Sequence, residues 1–278
     1  MKQVGEKKGP KIVLYLFLIV SSLVSLFPFY WMFVIGSNTT SAVNQFPPAL
    51  LPGGNFLENA QKVFERIDFF GALMNSLVIS SAITVSVLFF CSLAGFAFAK
   101  LQFEGKNILF IFLLATMMIP PQLGLIPSFM IISQLGWIDT LQAVIVPAMV
   151  SAFGVFWMRQ FISSTIPDEL MEAARIDGCG TFRIYWNIVL PTIKPGLATL
   201  GIVTFMNAWN DFLWPLVVLK DRSVHTIQIA LRTLNEVYHT DYSMILAGTF
   251  MATLPILIVF IFFSRQFIAG LTEGAVKN

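Results

Sequence analysis

Long runs of residues without a charged side chain constrain the fold of this chain more than any other feature. The first run, from Ile12 to Ile35, is 24 residues long. At about 1.5 Å of rise per residue, a helix of this length exceeds the ~30 Å hydrocarbon core of a bilayer. Only 12% of the residues are charged, about half the share in soluble domains. The mean hydropathy is +0.78, so the chain is predicted to be a multi-pass membrane protein.

The charged residues separate six apolar segments, which predict an all-α protein with six transmembrane helices. The predicted spans cover about residues 12–35, 71–99, 108–132, 141–162, 196–219 and 243–263. Pro120, Pro121 and Pro127 predict a bend or break in the third span, and Pro147 predicts a milder one in the fourth. The first span is interpreted as a retained helix, because it is too long for a signal peptide and lacks a cleavage site. A single transmembrane domain is expected over residues 1–278.

The positive charges predict the orientation of these spans. With a cytoplasmic N-terminus, twelve of the 17 Lys and Arg residues fall in cytoplasmic segments and five fall outside. Because cytoplasmic loops of membrane proteins are enriched in Lys and Arg, both termini are predicted to be cytoplasmic. The expected location is the cell (inner) membrane, in contact with the lipid bilayer. The basic residues are scattered rather than clustered, so no binding of nucleic acid is expected.

The cytoplasmic segment 163–195 predicts two short helices joined by a bend. Ser164 or Thr165 is expected to cap the first helix. Gly178 is expected to end it, because glycine adopts left-handed backbone at low cost. Thr181 is expected to cap the second helix. These signals predict a compact, bent element between the fourth and fifth spans.

Both predicted helices are amphipathic. In the first, Leu170, Met171 and Ala174 share one side. In the second, which is expected to end before Pro191, four large apolar residues recur at helical spacing: Phe182, Tyr185, Trp186 and Val189. The apolar sides could rest on the membrane bundle, or they could be offered to the groove of a partner protein. Periodicity leaves both interpretations open.

A longer pattern favours the second interpretation. Glu172-Ala173-Ala174 is followed after three residues by Gly178, and after nine more by Ile188-Val189-Leu190-Pro191. This spacing resembles the Glu-Ala-Ala loop of binding-protein-dependent ABC import permeases, which also lies between the fourth and fifth of six spans. Further segments are similar to the carbohydrate branch of that family, close to the maltose-type second permease: Asn75-Ser76-Leu77, Arg159-Gln160-Phe161 and Trp209-Asn210-Asp211-Phe212-Leu213-Trp214-Pro215.

The resemblance implies the type I ABC importer permease fold and a division of labour among several chains. This chain would form a translocation path with a second permease subunit. Two copies of a cytoplasmic ATPase would each receive one Glu-Ala-Ala helix, and an extracellular solute-binding protein would deliver a sugar, expected to be an oligosaccharide. The residues expected to couple to the ATPase are Leu170, Met171, Glu172, Ala173, Ala174, Asp177 and Gly178.

The motifs that are missing agree with this division. A phosphate-binding loop needs Gly, four residues and then Gly-Lys-Ser/Thr, whereas Gly105-Lys106 is followed by Asn107. ATP and Mg²⁺ are therefore expected on the partner ATPase, and this chain is expected to bind no cofactor and to have no catalytic residues. Cys91 and Cys179 have no neighbouring His or Cys at a ligand spacing, so no metal site is expected.

One predicted span contains polar groups that suit a transport path. Of the residues in the six predicted spans, Asp211 is the only acidic one. An ionisable group inside a membrane is costly and indicates a function. Asn207, Asn210 and Trp214 lie within one turn of Asp211. A Trp ring can stack on the C–H face of a sugar while amides and carboxylates meet its hydroxyl groups. Alternatively, these residues mark the membrane interface or hold the helices together.

Other functions remain open from the sequence. The same architecture could import glycerol phosphate or a polyol. A phosphate cargo favours an extra basic residue in the pore, and the predicted spans show none there, because Arg159 lies near the cytoplasmic end of the fourth. A self-contained secondary transporter is a third possibility, although transporters of that class are often built from internal repeats, and none is visible here.

Overall fold

The computed structural model describes residues 8–43, 45–235 and 240–273, and these ranges are helical and contain no β-strand. Lys2, Lys7 and Lys277, which enter the orientation prediction, lie outside the described residues. The predicted all-α fold is confirmed. The α-helices are α1 Lys8–Gly36, α2 Phe56–Arg66, α3 Phe69–Lys100, α4 Lys106–Thr116, α5 Leu125–Gln134, α6 Gln142–Ile145, α7 Ala152–Thr165, α8 Asp168–Ile176, α9 Thr181–Ile184, α10 Leu190–Thr192, α11 Lys194–Asn210, α12 Leu213–Val218, α13 Ile227–Arg232 and α14 Tyr242–Glu273.

Three of these helices, α1, α3 and α14, are each long and apolar enough to cross a membrane. They match the first, second and sixth predicted spans to within a few residues, apart from the last turns of α14. A continuous helix is the expected form of such segments, because lipid offers no partner to an unpaired backbone N–H or C=O group.

The third and fourth predicted spans are bent where proline predicts it. Helix α4 and the segment Pro121–Gln134 meet at 93°, and Gln142–Ala148 meets Ala152–Thr165 at 40°. Proline has no backbone N–H and its ring crowds the preceding turn, so a continuous helix is unfavourable at these points. After the second bend, the Ser151 hydroxyl accepts a bond from the Gly154 N–H over 3.3 Å and caps α7.

The fifth predicted span differs from the sequence expectation of one helix over residues 196–219. Helix α11 ends at Asn210, Asp211 is extended, and the chain resumes a helix only at Leu213. The physical reason is Pro215. In an unbroken helix its ring would crowd the carbonyl of Asp211, and its missing N–H would leave that carbonyl unpaired. The described helices thus provide three single candidate spans, or up to six if each bent pair counts as one.

The chain forms two compact units. The first comprises Met1–Ile67 and Leu231–Thr253, as far as these are described. In it, the Phe33 ring lies 5.3 Å from the Phe56 ring and 5.1 Å from the Phe250 ring. Gly36 allows α1 to pack closely against α14, because a Cβ there would lie 2.9 Å from the backbone nitrogen of Ala247.

The second unit, Asp68–Ala230 and Leu254–Asn278, contains both candidate sites. Its centre is α3, which packs against α7 and α11. Small residues permit the contact with α7. A Cβ on Gly95 would lie 2.6 Å from the Cβ of Met158, and one on Gly154 would lie 2.8 Å from the Sγ of Cys91. Close packing of this kind is how membrane helices associate, since lipid supplies no hydrophobic driving force between them.

Candidate functional site

Helix α8, which carries the Glu-Ala-Ala sequence, begins after an extended turn at Ile166 and Pro167. Asp168 lies in its first turn, where a negative charge is favourable at the positive end of the helix dipole. The predicted cap does not form. The Ser164 hydroxyl instead donates to the carbonyl of Phe161 over 3.0 Å, because α7 continues to Thr165 and keeps this side chain within its last turn.

The end of α8 follows the sequence prediction. Gly178 has a φ of +78°. The N–H of Gly178 donates to the carbonyl of Arg175, and the N–H of Cys179 donates to that of Ala174, both over 3.0 Å. This pair of bonds is a Schellman motif, which pairs the last carbonyls of a helix and turns the chain sharply. Asp177 is the residue immediately before the turn.

The two sides of α8 differ in burial. Met171 and Ala174 are buried in the hydrophobic core of the second unit, to which α8 belongs. Glu172, Ala173 and Asp177 are exposed. Leu170 was expected on the buried side but is 41% exposed. The helix thus packs through one side against the rest of the unit. Its opposite side exposes the carboxylate of Glu172 and the small side chain of Ala173.

The second half of the loop is longer and less regular than predicted. Thr181 is the first residue of α9, after Gly180, and the helix runs through Pro191 to Thr192. Residues Tyr185–Val189 form a π-helix in which the N–H of Leu190 donates to the carbonyl of Tyr185. The wider turn accommodates Pro191, which has no N–H for a regular bond. A 76° bend then leads into α11.

The apolar residues of this second half do not share one face as predicted. Tyr185 and Val189 are buried, whereas Phe182 and Trp186 are exposed. The π-helix changes the angular step between residues from Tyr185 to Val189, so the 3.6-residue spacing does not hold there. The loop therefore exposes four large apolar side chains: Leu170, Ile176, Phe182 and Trp186.

Two contacts attach the loop to α3. The Tyr185 hydroxyl lies 2.7 Å from the Ser92 hydroxyl, and its ring lies 5.6 Å from the Phe96 ring. The Lys100 Nζ lies 2.6 Å from the Asp168 Oδ1. The hydrogen bond and charge of Lys100 lower the pKa of Asp168 below its usual value. Sequence reasoning did not identify either contact, because the partners are far apart in the chain.

A second candidate site is a cavity of about 800 Å³ in the same unit. It lies beside the predicted polar residues of the fifth span. Asn207, Asp211 and Trp214 line it, together with Ser128, Ser151, Thr204 and Phe153. In the described part of the chain, the lining contains no lysine, arginine or histidine.

The structure separates Asn210 from the other residues predicted for this path. Its side-chain nitrogen donates to the carbonyl of Met206 over 2.8 Å, and it does not line the cavity. Trp214 is positioned by a bond from its Nε1 to the carbonyl of Ala143 over 3.0 Å. The carboxylate of Asp211 faces the backbone N–H groups of Phe212, Leu213 and Trp214, where the chain restarts a helix. No group of three metal-ligating side chains occurs among the described residues.

The fold and these two sites define a multi-pass helical membrane protein with a cavity lined by polar and apolar residues and a loop whose short helix α8 exposes one side. Residues 91–268 match the model of the family described as binding-protein-dependent transport system inner membrane component. The chain belongs to this family. It is therefore a non-catalytic, inner-membrane subunit of a transport system that depends on a binding protein.

Known proteins of similar sequence cover most of the chain. The arabinooligosaccharides transport system permease protein AraQ of Halalkalibacterium halodurans is 43% identical over 84% of this chain and 82% of its own length. The sn-glycerol-3-phosphate transport system permease protein UgpE of Yersinia pestis is 33% identical over 98% of this chain and 99% of its own length.

A solved structure shows the same fold. It is a chain of a bacterial ABC transporter involved in the import of the acidic polysaccharide alginate. The match has a TM-score of 0.80 at 24% identity and covers 96% of this chain and 99% of that one. The predicted permease fold is thereby confirmed.

Proposed function

We propose that this chain is a permease subunit of an ATP-driven importer for a sugar, most simply an uncharged oligosaccharide. Its similarity to a permease named for arabinooligosaccharide transport carries the proposal. The cavity supports it, because the aromatic residues Trp214 and Phe153 line it together with Asn207 and Asp211. Aromatic faces with a few polar groups around them are a suitable lining for a polyhydroxylated ligand.

The charge of the cavity favours a sugar over a phosphorylated cargo. The similarity to UgpE is the observation that supports glycerol phosphate as a second candidate. A phosphate group needs compensating positive charge in a desolvated site. The described lining contains the carboxylate of Asp211 and no cation. This carboxylate would repel a phosphate. An uncharged sugar or a polyol meets no such penalty.

The Glu-Ala-Ala loop is proposed to dock onto a cytoplasmic ATPase. Its support is the exposed surface of α8, in which Glu172 can pair with a cation and Ala173 allows close approach. The four large apolar side chains that the loop exposes supply area that a partner would bury. The ATPase would bind the ATP and Mg²⁺, and this chain would bind neither.

The remaining parts of the assembly are proposed from the family. A second permease subunit would complete the path, two ATPase copies would dock below, and an extracellular solute-binding protein would deliver the sugar. Residues 1–278 would form one permease domain with both termini in the cytoplasm. Closure of the ATPase pair would move the loops and open the path alternately to the two sides, a rigid-body switch.

Transport by the complete complex in proteoliposomes tests the cargo. The expected result is ATP-dependent uptake of a labelled arabinooligosaccharide in the presence of its binding protein, and no uptake of glycerol 3-phosphate. Uptake of glycerol 3-phosphate alone would overturn the sugar proposal in favour of the second candidate.

Co-purification of the ATPase tests the docking surface. Ala173→Trp adds a large side chain to an exposed position, so the permease should still reach the membrane but retain much less ATPase. Ala173→Ser, which keeps the side chain small, is the matched control and should retain it. Equal amounts of ATPase on both variants would show that this surface is not the docking site.

A further inference from the structure

The two contacts between the Glu-Ala-Ala loop and α3 suggest a route from the loop to the cavity. This inference rests on the proposed function. We propose that α3 transmits a displacement of the loop to the cavity wall. Ser92 and Lys100 are the positioning residues that couple α3 to the loop. Helices α7 and α11 are covalently continuous with the loop, and α3 provides a further connection between the loop and the cavity.

The first contact is well defined. The Ser92 hydroxyl lies 2.6 Å from the carbonyl of Leu88, to which it donates its single proton. The Tyr185 hydroxyl, 2.7 Å away, is therefore the donor to Ser92. Tyr185 is 1% exposed and its ring also packs against Phe96, one turn further along α3. A buried bond and a ring contact on the same face fix the second half of the loop to α3.

The second contact fixes the first half of the loop. The Lys100 side chain is 5% exposed and the Asp168 side chain is 80% exposed, so a buried ammonium group depends on a carboxylate that belongs to α8. Lys106 interacts electrostatically with both groups. Arg159 also repels Lys106, so removal of the Asp168 charge would leave three cations, Lys100, Lys106 and Arg159, without this carboxylate. Their repulsion would favour displacement of the loop.

The same helix reaches the cavity. Ser92 and Lys100 are eight residues apart, or about 12 Å along α3. Val87, five residues before Ser92, lines the cavity together with Ile83. Within its 32 residues, α3 contains no proline, so it lacks the most common cause of a helix kink. In contrast, α11 joins the loop through a 76° bend. Displacement of either half of the loop is therefore transmitted to the cavity wall through one uninterrupted helix.

The experiment measures sugar uptake per ATP hydrolysed by the complete complex in proteoliposomes. Asp168→Asn and Lys100→Met should each lower this ratio by about fivefold to tenfold, the low end of typical coupling between two sites. Exchange of the two charges, Lys100→Asp with Asp168→Lys, should restore most of it. Glu169→Gln in the same turn and Lys194→Met at the start of α11 are matched controls, and each should keep the wild-type ratio.

The hydroxyl contact is tested by a double-mutant cycle. Tyr185→Phe and Ser92→Ala each remove one partner and keep the packing. Both should lower the ratio, and the double variant should be no worse than either single one. A strictly additive loss would contradict the contact as a transmission point.

Unchanged ratios in the single variants, or an exchange variant as poor as the single ones, would overturn the inference. If Lys100→Met does not accumulate in the membrane, Asp168→Asn carries the test, because it alters an exposed side chain. Each ratio is compared with a wild-type complex that transports sugar, so these negative results would leave the proposed function standing.

Discussion

The backbone N–H of Cys179 donates to the carbonyl of Ala174 over 3.0 Å, across the left-handed residue Gly178. This bond turns the chain at the end of α8 and separates the two halves of the Glu-Ala-Ala loop. The turn depends on backbone conformation rather than on space, because a Cβ on Gly178 would meet no atom within 4 Å.

Substitution of Gly178 should therefore act through backbone strain. Gly178→Val, a β-branched residue with a φ of +78°, should cost at least about 1–2 kcal/mol and greatly reduce ATPase binding and sugar uptake. Gly178→Asn is the matched control, since Asn tolerates left-handed backbone. It should retain most of the activity. If the two variants lost uptake equally, the turn geometry would not be the reason that this position needs glycine.

The two asparagines of α11 provide a matched pair for the cavity. Asn207 lines it, whereas Asn210 is one turn away and bonded to Met206. Asn207→Leu should weaken sugar uptake by roughly tenfold, equivalent to the loss of one or two hydrogen bonds, mainly through a higher KM. Asn210→Leu should have a much smaller effect. The opposite order of effects in an uptake titration would exclude the cavity as the transport path.

The contact between α3 and α7 should be sensitive to a single methyl group. In Gly154→Ala the new Cβ would lie 2.8 Å from the Sγ of Cys91, so the helices must separate, at a cost of about 1–3 kcal/mol. Cys91→Ala removes the sulfur, and the double variant should regain most of the stability. Thermal unfolding of the detergent-solubilised protein measures this. A double variant less stable than Gly154→Ala would show that the loss has another cause.

The Lys100–Asp168 pair predicts a pH dependence of the loop. Lys100 lowers the pKa of Asp168 in the folded protein. A carboxyl group with a lowered folded pKa stabilises the structure above its unfolded pKa, and this stabilisation is lost as the pH falls through the folded pKa. Hydrogen exchange in α8 should thus be slower in the wild type than in Asp168→Asn at pH 7. The difference should vanish only when the pH falls below the usual range for aspartate, near pH 4. A difference that disappears near pH 6 would indicate titration of another group.

Local chemistry explains which parts of the fold could be predicted from the sequence. Uncharged runs long enough to span a bilayer identified α1, α3 and α14, and the Pro120-Pro121 pair located the sharp bend between α4 and α5. Gly178 was predicted to end α8 because few other residues adopt its backbone conformation. Each of these features depends on residues close together in the chain.

Features that depend on competing local signals were harder to predict. Pro215 marks the break after Asn210, but the apolar run around it suggested one continuous helix. Pro191 suggested the end of a helix, whereas a π-helical turn accommodates it. Phe182 is exposed and Tyr185 is buried, although their spacing placed them on one face.

Contacts between distant residues could not be predicted from periodicity. Lys100 and Asp168 are 68 residues apart and Ser92 and Tyr185 are 93 apart, and no spacing rule links such positions. Asn210 was expected in the transport path because it shares a turn with Asp211. Its exclusion depends on the direction in which the end of α11 faces, which only the packing of the helices determines.

The orientation of the Glu-Ala-Ala loop tests the central claim most directly, because a docking surface for an ATPase must face the cytoplasm. Cys179 is partly exposed beside the turn, whereas Cys91 is buried, so a membrane-impermeant maleimide should react with Cys179 alone. The account predicts labelling in inside-out vesicles and none in intact spheroplasts, with a Cys179→Ala variant unlabelled in both. Labelling of Cys179 in intact spheroplasts would place the loop outside the cell and contradict the account.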